Sequence, residues 1–318
     1  MMKNRRGVAL IAALWLVVAI AAVSMQFAIE ARERRTIGIL AAERGIQRAA
    51  AQGALSLTLA KLDYSLRVAP TGNNIQRIRA ADPWLDIDST YNGGILVDSI
   101  PVEVTAHDLG EQLNINQLTE QDFQAFFSFL TKDYSLSTKL AQSIMDWRDA
   151  DSLPRPSGAE RDDYLQAGML ALPTNASFRD VEDLRNVMGM TPEVFAAAEP
   201  YLTTRGQGLV NLNTAPVPVL RALPGITDAA INTILQYRSQ GRRIANVNEV
   251  FPQDRAVRGQ VNGAAFQRAN LSRITVNTTD VEFTFSARVG PQAPPSKLTV
   301  VMTHQGEGGA VRVTYKQW

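Results

Sequence analysis

From Val8 to Ile29 the chain carries no charged residue, and only Ser24 and Gln26 are clearly polar. Those twenty-two residues span roughly 33 Å as a helix, enough to cross a hydrocarbon core of about 30 Å. A secretory signal peptide has an apolar region of about 7 to 15 residues, so this run is too long for one. An A-x-A-like site can be read near Ala19 and Ala21, but the apolar run continues beyond it. Length alone is satisfied by a simple N-terminal anchor. Lys3, Arg5 and Arg6 favour a cytoplasmic N-terminus. Arg32, Arg34 and Arg35 pull the other way and are partly offset by Glu30 and Glu33. The bulk of the chain is therefore expected outside the cytoplasm.

The helical pattern does not stop at the membrane. Ile37, Leu40, Ala41, Ile46, Ala49, Leu55, Leu59 and Leu62 continue it as an amphipathic stretch, weakened by Gly38, Gly45 and Gly53. A loop-rich segment is expected over about 63–94. ILVDSIPVEVTAHD then alternates as one or two strands, and strands return only at the end, in RITVNTTDVEFTFSARVG and SKLTVVMTHQGEGGAVRVTYKQW. The last two are expected to join through the GEGG turn. Between about 109 and 270 the pattern is helical. The fold class expected is α+β: a long N-terminal helix on a small antiparallel sheet, with a large all-α domain inserted between strands.

Composition narrows the chemistry. A net charge of +1 gives no bulk attraction to nucleic acid, and the absence of cysteine removes disulfides, thiolate metal sites and thiol nucleophiles. The chain has only two histidines, His107 and His304, and lacks the P-loop, GxSxG and HExxH signatures. Nothing in it speaks for an enzyme.

The helical region echoes itself. LNINQLTEQDFQAFFSFL followed by LAQSIMDWRDAD resembles VNLNTAPVPVLRAL followed by INTILQYRSQG. In both, an Asn-x-Asn turn precedes a helix, a hairpin and a second helix that ends near an arginine. Asn114, Asn116, Asn211 and Asn213, with Thr119 and Thr214, suit turns and N-caps better than a binding site. SFRDVEDLRNVMGM and RRIANVNEVFP form a second echo.

Two segments carry candidate chemistry. VNLNTAPVPVLRALPGITDAAINTILQYR resembles a DNA-binding helix-hairpin-helix, in which two glycines present N–H groups to a phosphate. Gly225 is present, but Thr227 takes the second glycine position and Asp228 follows, where a carboxylate repels phosphate. Arg221, Arg238, Arg242 and Arg243 keep a membrane-anchored DNA-binding protein of a competence system as the alternative function. The other segment is SIMDWRDADSLPRPSGAERDDYL. Asp146, Asp149, Asp151, Glu160, Asp162 and Asp163 place six carboxylates around a Pro- and Gly-containing loop. They are plausible hard oxygen ligands without the EF-hand spacing. Arg148, Arg155 and Arg161 permit a second reading, a surface salt-bridge network, and the residues alone leave both open.

The charged leader ending in Gly7 resembles that of type IV pilins and pseudopilins. With LNIN, DWRDAD, GAE, DDYL, SFRDVEDLR and VNLNTAPVPVL in this order, nearly the whole chain resembles the protein K family of type II secretion minor pseudopilins. That resemblance implies prepilin peptidase cleavage after Gly7 and methylation of Val8. It implies a leader over 1–7, a transmembrane and filament-core segment over 8–29, a pilin-like domain over 30–108 and 271–318, and a helical insert over 109–270. Most pilin-like subunits have glutamate at the fifth mature position; here it is Ala12, which suits a filament end. The family's insert binds calcium, which implies one or two ions here, with Asp149, Asp151, Glu160 and Asp162 as first ligands and Asp146 and Asp163 as weaker ones. Arg161 stands where the family has another acid. The partners implied are other minor pseudopilins in a tip complex, the major pseudopilin, the peptidase, the inner-membrane assembly platform and secreted substrates. The location implied is the inner membrane, with the C-terminal domain in the periplasm.

Overall fold

The computed structural model describes residues 5–67, 84, 87, 91–251, 272–290, 293–304 and 311–318, with side chains of the first helix from Leu10 to Tyr64. The GEGG turn and most of the 63–94 loop lie outside the described residues. The chain divides into two compact units. One holds Met1–Ser56, Gly94–Glu103 and Phe285–Leu298, the other Leu57–Gly93, Val104–Thr284 and Thr299–Trp318.

Helix α1 runs unbroken from Arg5 to Arg67, five residues past its expected end at Leu62. From Leu10 to Ile29 every side chain is exposed, and the helix is long and apolar enough to cross a membrane. Burial begins at Gln47 and continues through Ala50, Ala51, Ala54, Leu55, Thr58 and Leu62, spaced by three and four residues. The expected stripe differs: Ile37, Ile46 and Ala49 are exposed. The polar Gln47 is buried in their place because its amide has partners: Nε2 donates to the Val289 carbonyl and Oε1 accepts from Ser296 Oγ. Gly53 costs helix propensity, but a Cβ there would lie 2.7 Å from Val97 Cγ1, so the glycine admits the first strand.

A five-stranded sheet has the order β1 (Gly93–Val97), β2 (Ile100–Asp108), β7 (Asp280–Ala287), β8 (Ser296–Thr303) and β9 (Arg312–Gln317). Alternation works as expected on β2, where Val102, Val104 and Ala106 are buried, and on β7, where Val281, Phe283, Phe285 and Ala287 are. β8 and β9 are antiparallel, with Val301 opposite Tyr315 and a bulge at Val301/Met302. Residues 109–279 are inserted between the neighbouring strands β2 and β7.

The inserted region is mainly helical and contains two short parallel strand pairs that the sequence reading did not include. β3 (Leu113–Asn114) pairs with β4 (Leu202–Thr203), and β5 (Val210–Asn211) with β6 (Ile274–Thr275). The first pair brackets α2 (Glu120–Thr131) and α3 (Tyr134–Arg148), with α4 (Arg161–Gln166) and α5 (Pro192–Ala198) after them. The second brackets α6 (Val217–Arg221) and α7 (Asp228–Ser239). One apolar core runs through both, including Phe123, Phe127, Trp147, Leu220 and Ile234.

The two sequence echoes are one structural design used twice. Asn114 Oδ1 accepts from the Asn116 N–H, and Asn211 Oδ1 accepts from the Asn213 N–H. Asn116 exchanges two bonds with the Phe178 backbone; Asn213 does the same with Ile244. Arg148 donates to the Ile115 and Leu118 carbonyls, Arg238 to those of Leu212 and Ala215. The asparagines are turn-builders, as their chemistry suggested. Burial pulls both arginine pKa values down, yet each guanidinium is held by two turn carbonyls.

Buried carboxylates tie the copies together. Asp122, fully buried on α2, accepts both arms of the Arg273 fork, at 2.8 and 2.5 Å. Asp108, at the end of β2, accepts from Gly110 N–H, Asn211 Nδ2, Thr214 Oγ1 and Thr278 Oγ1. Burial raises its pKa against the pull of those bonds. Each hairpin has an acid at the start of its second helix. Asp133 accepts from the Leu136 N–H, while Thr227 accepts from the Ala230 N–H and Asp228 pairs with Arg221.

Two outcomes follow. Arg148→Ala and Arg238→Ala should each lower unfolding stability by about 2–4 kcal/mol in urea titration, because two buried carbonyls lose their donor; a change under about 0.5 kcal/mol would contradict the shared design. A raised folded pKa means that Asp108 contributes most below the ordinary carboxylate pKa and less as pH rises through its folded value. The stability difference between the unmodified protein and Asp108→Asn should therefore shrink as pH rises above about 4.

Candidate metal centre

Helix α3 ends at Arg148, and Asp149 is its C-cap. The following loop folds back onto the helix end. Ser157 N–H donates to Gln142 Oε1, and Arg155 N–H donates to Asp146 Oδ2. Gly158 makes the close approach possible, since a Cβ there would lie 1.9 Å from Asp146 Oδ2. Asn175 pins the far side, its N–H donating to the Trp147 carbonyl and its Nδ2 to that of Asp151.

This folding gathers three of the six carboxylates nominated by sequence. Single oxygens of Asp149, Asp151 and Glu160 lie within 4.8 Å of one another. Asp146 is fully buried beside them and accepts from Arg155 Nη1 at 2.5 Å. Asp163 is turned to capping and accepts from the Glu160 N–H. Asp162 sits exposed in the first turn of α4, outside the group.

The cluster is electrostatically unfinished. Glu160 is 4% exposed, and its Oε1 has no hydrogen-bond partner; neither has the buried Asp149 Oδ1. Burial first, and then the charges of Asp146 and Asp149, raise the Glu160 pKa. Burial raises that of Asp146 despite its bonds to Arg155. Arg155 is itself desolvated, but its bonds to Asp149 and Asp146 outweigh this and hold its proton more tightly. Burial also pushes the nearby Tyr164 hydroxyl up to about 12. Buried carboxylate oxygens without donors, set among like charges, fit a hard divalent cation that takes oxygen ligands.

The three arginines that sequence grouped together separate here. Arg148 serves the turn carbonyls, Arg161 is exposed, and only Arg155 enters the cluster. The echo of Arg148 in Arg238 was the signal for the first of these. Ala12 is exposed on α1, while the side chains of Gly7 and Val8 are outside the described residues.

A helix long and apolar enough to cross a membrane, a strand-inserted helical pair and an acidic return loop define an α+β fold. The family description "Type II secretion system (T2SS), protein K" matches residues 106–207 and again 210–272, just over half the chain together. The chain belongs to the type II secretion system protein K family. The two matches part near Gly208, where one structural copy ends and the next begins. Type II secretion system protein K of Dickeya chrysanthemi is 31% identical over 152 residues, 45% of this chain and 41% of that protein. The Pseudomonas aeruginosa protein of the same name is 26% identical over 156 residues, 46% of each. The matched segment thus spans under half the length of these relatives. Among solved structures, a chain of the GspK-GspI-GspJ complex from enterotoxigenic Escherichia coli has the same fold, with a TM-score of 0.64 over 89% of this chain and 98% of that one, at 18% identity.

Calcium added to the metal-free protein should raise its melting temperature by about 5 °C at concentrations well above Kd, and Asp151→Ala should remove that rise. An unmutated protein that does not respond to calcium would contradict the fit.

Proposed function

We propose that this chain is the tip subunit of a type II secretion pseudopilus. The observation that carries the proposal is the placement of the helical pair, which leaves from β2 and returns to the adjacent β7 on a chain whose first helix begins as an exposed apolar rod. A subunit carrying such an insert sterically hinders addition of another subunit above it. Ala12 supports the same position. A carboxylate in lipid is retained only where it meets a partner charge, and this subunit lacks the one that pilin-like subunits carry at that point.

In this reading residues 1–7 are a leader cut after Gly7 by prepilin peptidase, Val8 is methylated, and residues 8–29 anchor in the inner membrane and later enter the filament core. The pilin-like parts, 30–108 and 271–318, and the helical insert, 109–270, lie in the periplasm. The partners are two smaller minor pseudopilins, as in the GspK-GspI-GspJ complex of the structural relative, with the major pseudopilin below and the assembly platform at the membrane. Secreted substrates meet the insert. The role is structural, with no reaction of its own. Calcium, held by Asp149, Asp151 and Glu160, neutralises the return loop and fixes it on α3.

Tagged protein extracted from membranes in mild detergent should bring down both smaller minor pseudopilins of the same secretion system in equal amounts. Recovery of the chain without either, from cells that express both, would contradict the tip-complex reading.

A further inference from the structure

The carboxylates at the end of α3 fall into two halves that share Asp149. In the inner half, Arg155 reaches three acids. Its Nη1 lies 2.5 Å from Asp146 Oδ1 and 2.6 Å from Asp149 Oδ2, and its Nε lies 3.5 Å from Glu120 Oε2. Its backbone N–H takes the remaining Asp146 oxygen. In the outer half, Asp149 Oδ1 and Glu160 Oε1 are buried without partners, and Asp151 completes the group from the exposed side. Glu160, more than nine-tenths buried, belongs to that outer half, so the half is more than a collection of surface acids.

We infer that Arg155 is the positioning residue of the ion site: its guanidinium occupies the inner half as a permanent cation and holds Asp149 by one oxygen, so that this chain takes one divalent ion, in the outer half. The inference rests on the calcium reading above and deepens it. Nη1 bonds Asp149 Oδ2 and so orients that carboxylate and leaves Oδ1 for the ion, the way outer partners orient metal ligands elsewhere. It also fills the space and charge that a second ion would need. Lysine keeps the charge but has a single nitrogen on a flexible stem, so it cannot meet Glu120 while holding Asp146 and Asp149 in the same geometry.

The test is calcium titration of the full-length, detergent-solubilised, chelator-treated protein by calorimetry, with bound calcium counted independently by elemental analysis. One calcium per chain is expected for the unmutated protein. Arg155→Lys should still bind one, about 10- to 100-fold more weakly, with a melting temperature in chelator close to that of the unmutated protein. Arg155→Gln should take up a second calcium at millimolar concentration. Two ions in the unmutated protein, unchanged affinity in Arg155→Lys, or a single ion in Arg155→Gln would overturn the assignment. If Arg155→Gln does not fold, the first two measurements decide. No calcium in the unmutated protein would instead overturn the calcium reading itself, and this inference with it.

Discussion

The inserted region depends on one repeated interaction: a half-buried arginine at the end of a helix that donates to two carbonyls of an asparagine-built turn. Arg148 and Arg238 each do this, and the turn they hold sets both the start of the first helix and the short parallel strand beside it. An unpaired buried carbonyl is costly, so the two helices of each copy cannot separate without losing these bonds. The Arg273–Asp122 fork then carries a residue of the second copy onto a helix of the first, and Asp108 gathers donors from both sides of the second turn.

That symmetry explains where the acidic loop comes from. In the second copy, residues 239–243 alone join Arg238 to Ile244. In the first, residues 149–177 lie between Arg148 and Phe178, the positions that hold the same bonds. The carboxylate cluster is therefore an addition to a module that folds in the second copy without it. Its charges are not needed for the helix pair, and their accumulation beside a helix C-terminus opposes the local dipole. Arg155 offsets part of that cost.

Much of this was legible in the sequence. The uncharged run from Val8 identifies a helix long enough to cross a membrane, and alternation identifies β2 and β7. The echo of LNIN in VNLN gave the repeat, because turn chemistry forces the same residues in both copies. What the sequence hid depends on partners far along the chain. Gln47 is buried through bonds to residues 289 and 296, which no local period reveals. The two-residue strands are too short to carry an alternation signal. The sequence reading ranked Asp149, Asp151, Glu160 and Asp162 above Asp146 and Asp163; the fold gathers only Asp149, Asp151 and Glu160, and pairs Asp146 with Arg155. Asp162 and Asp163 are neighbours of Glu160 in sequence, but the turn of α4 directs one to solvent and the other to a backbone N–H.

The central claim is that the apolar segment is cut and retained as part of a filament subunit. Intact mass and N-terminal sequence of the protein from membranes, with and without prepilin peptidase, test it most directly. The account predicts a mature chain starting at methylated Val8 when the peptidase is present and an uncut chain when it is absent. A chain starting at Met1 or Met2 in both, or one cut near residue 22, would contradict it.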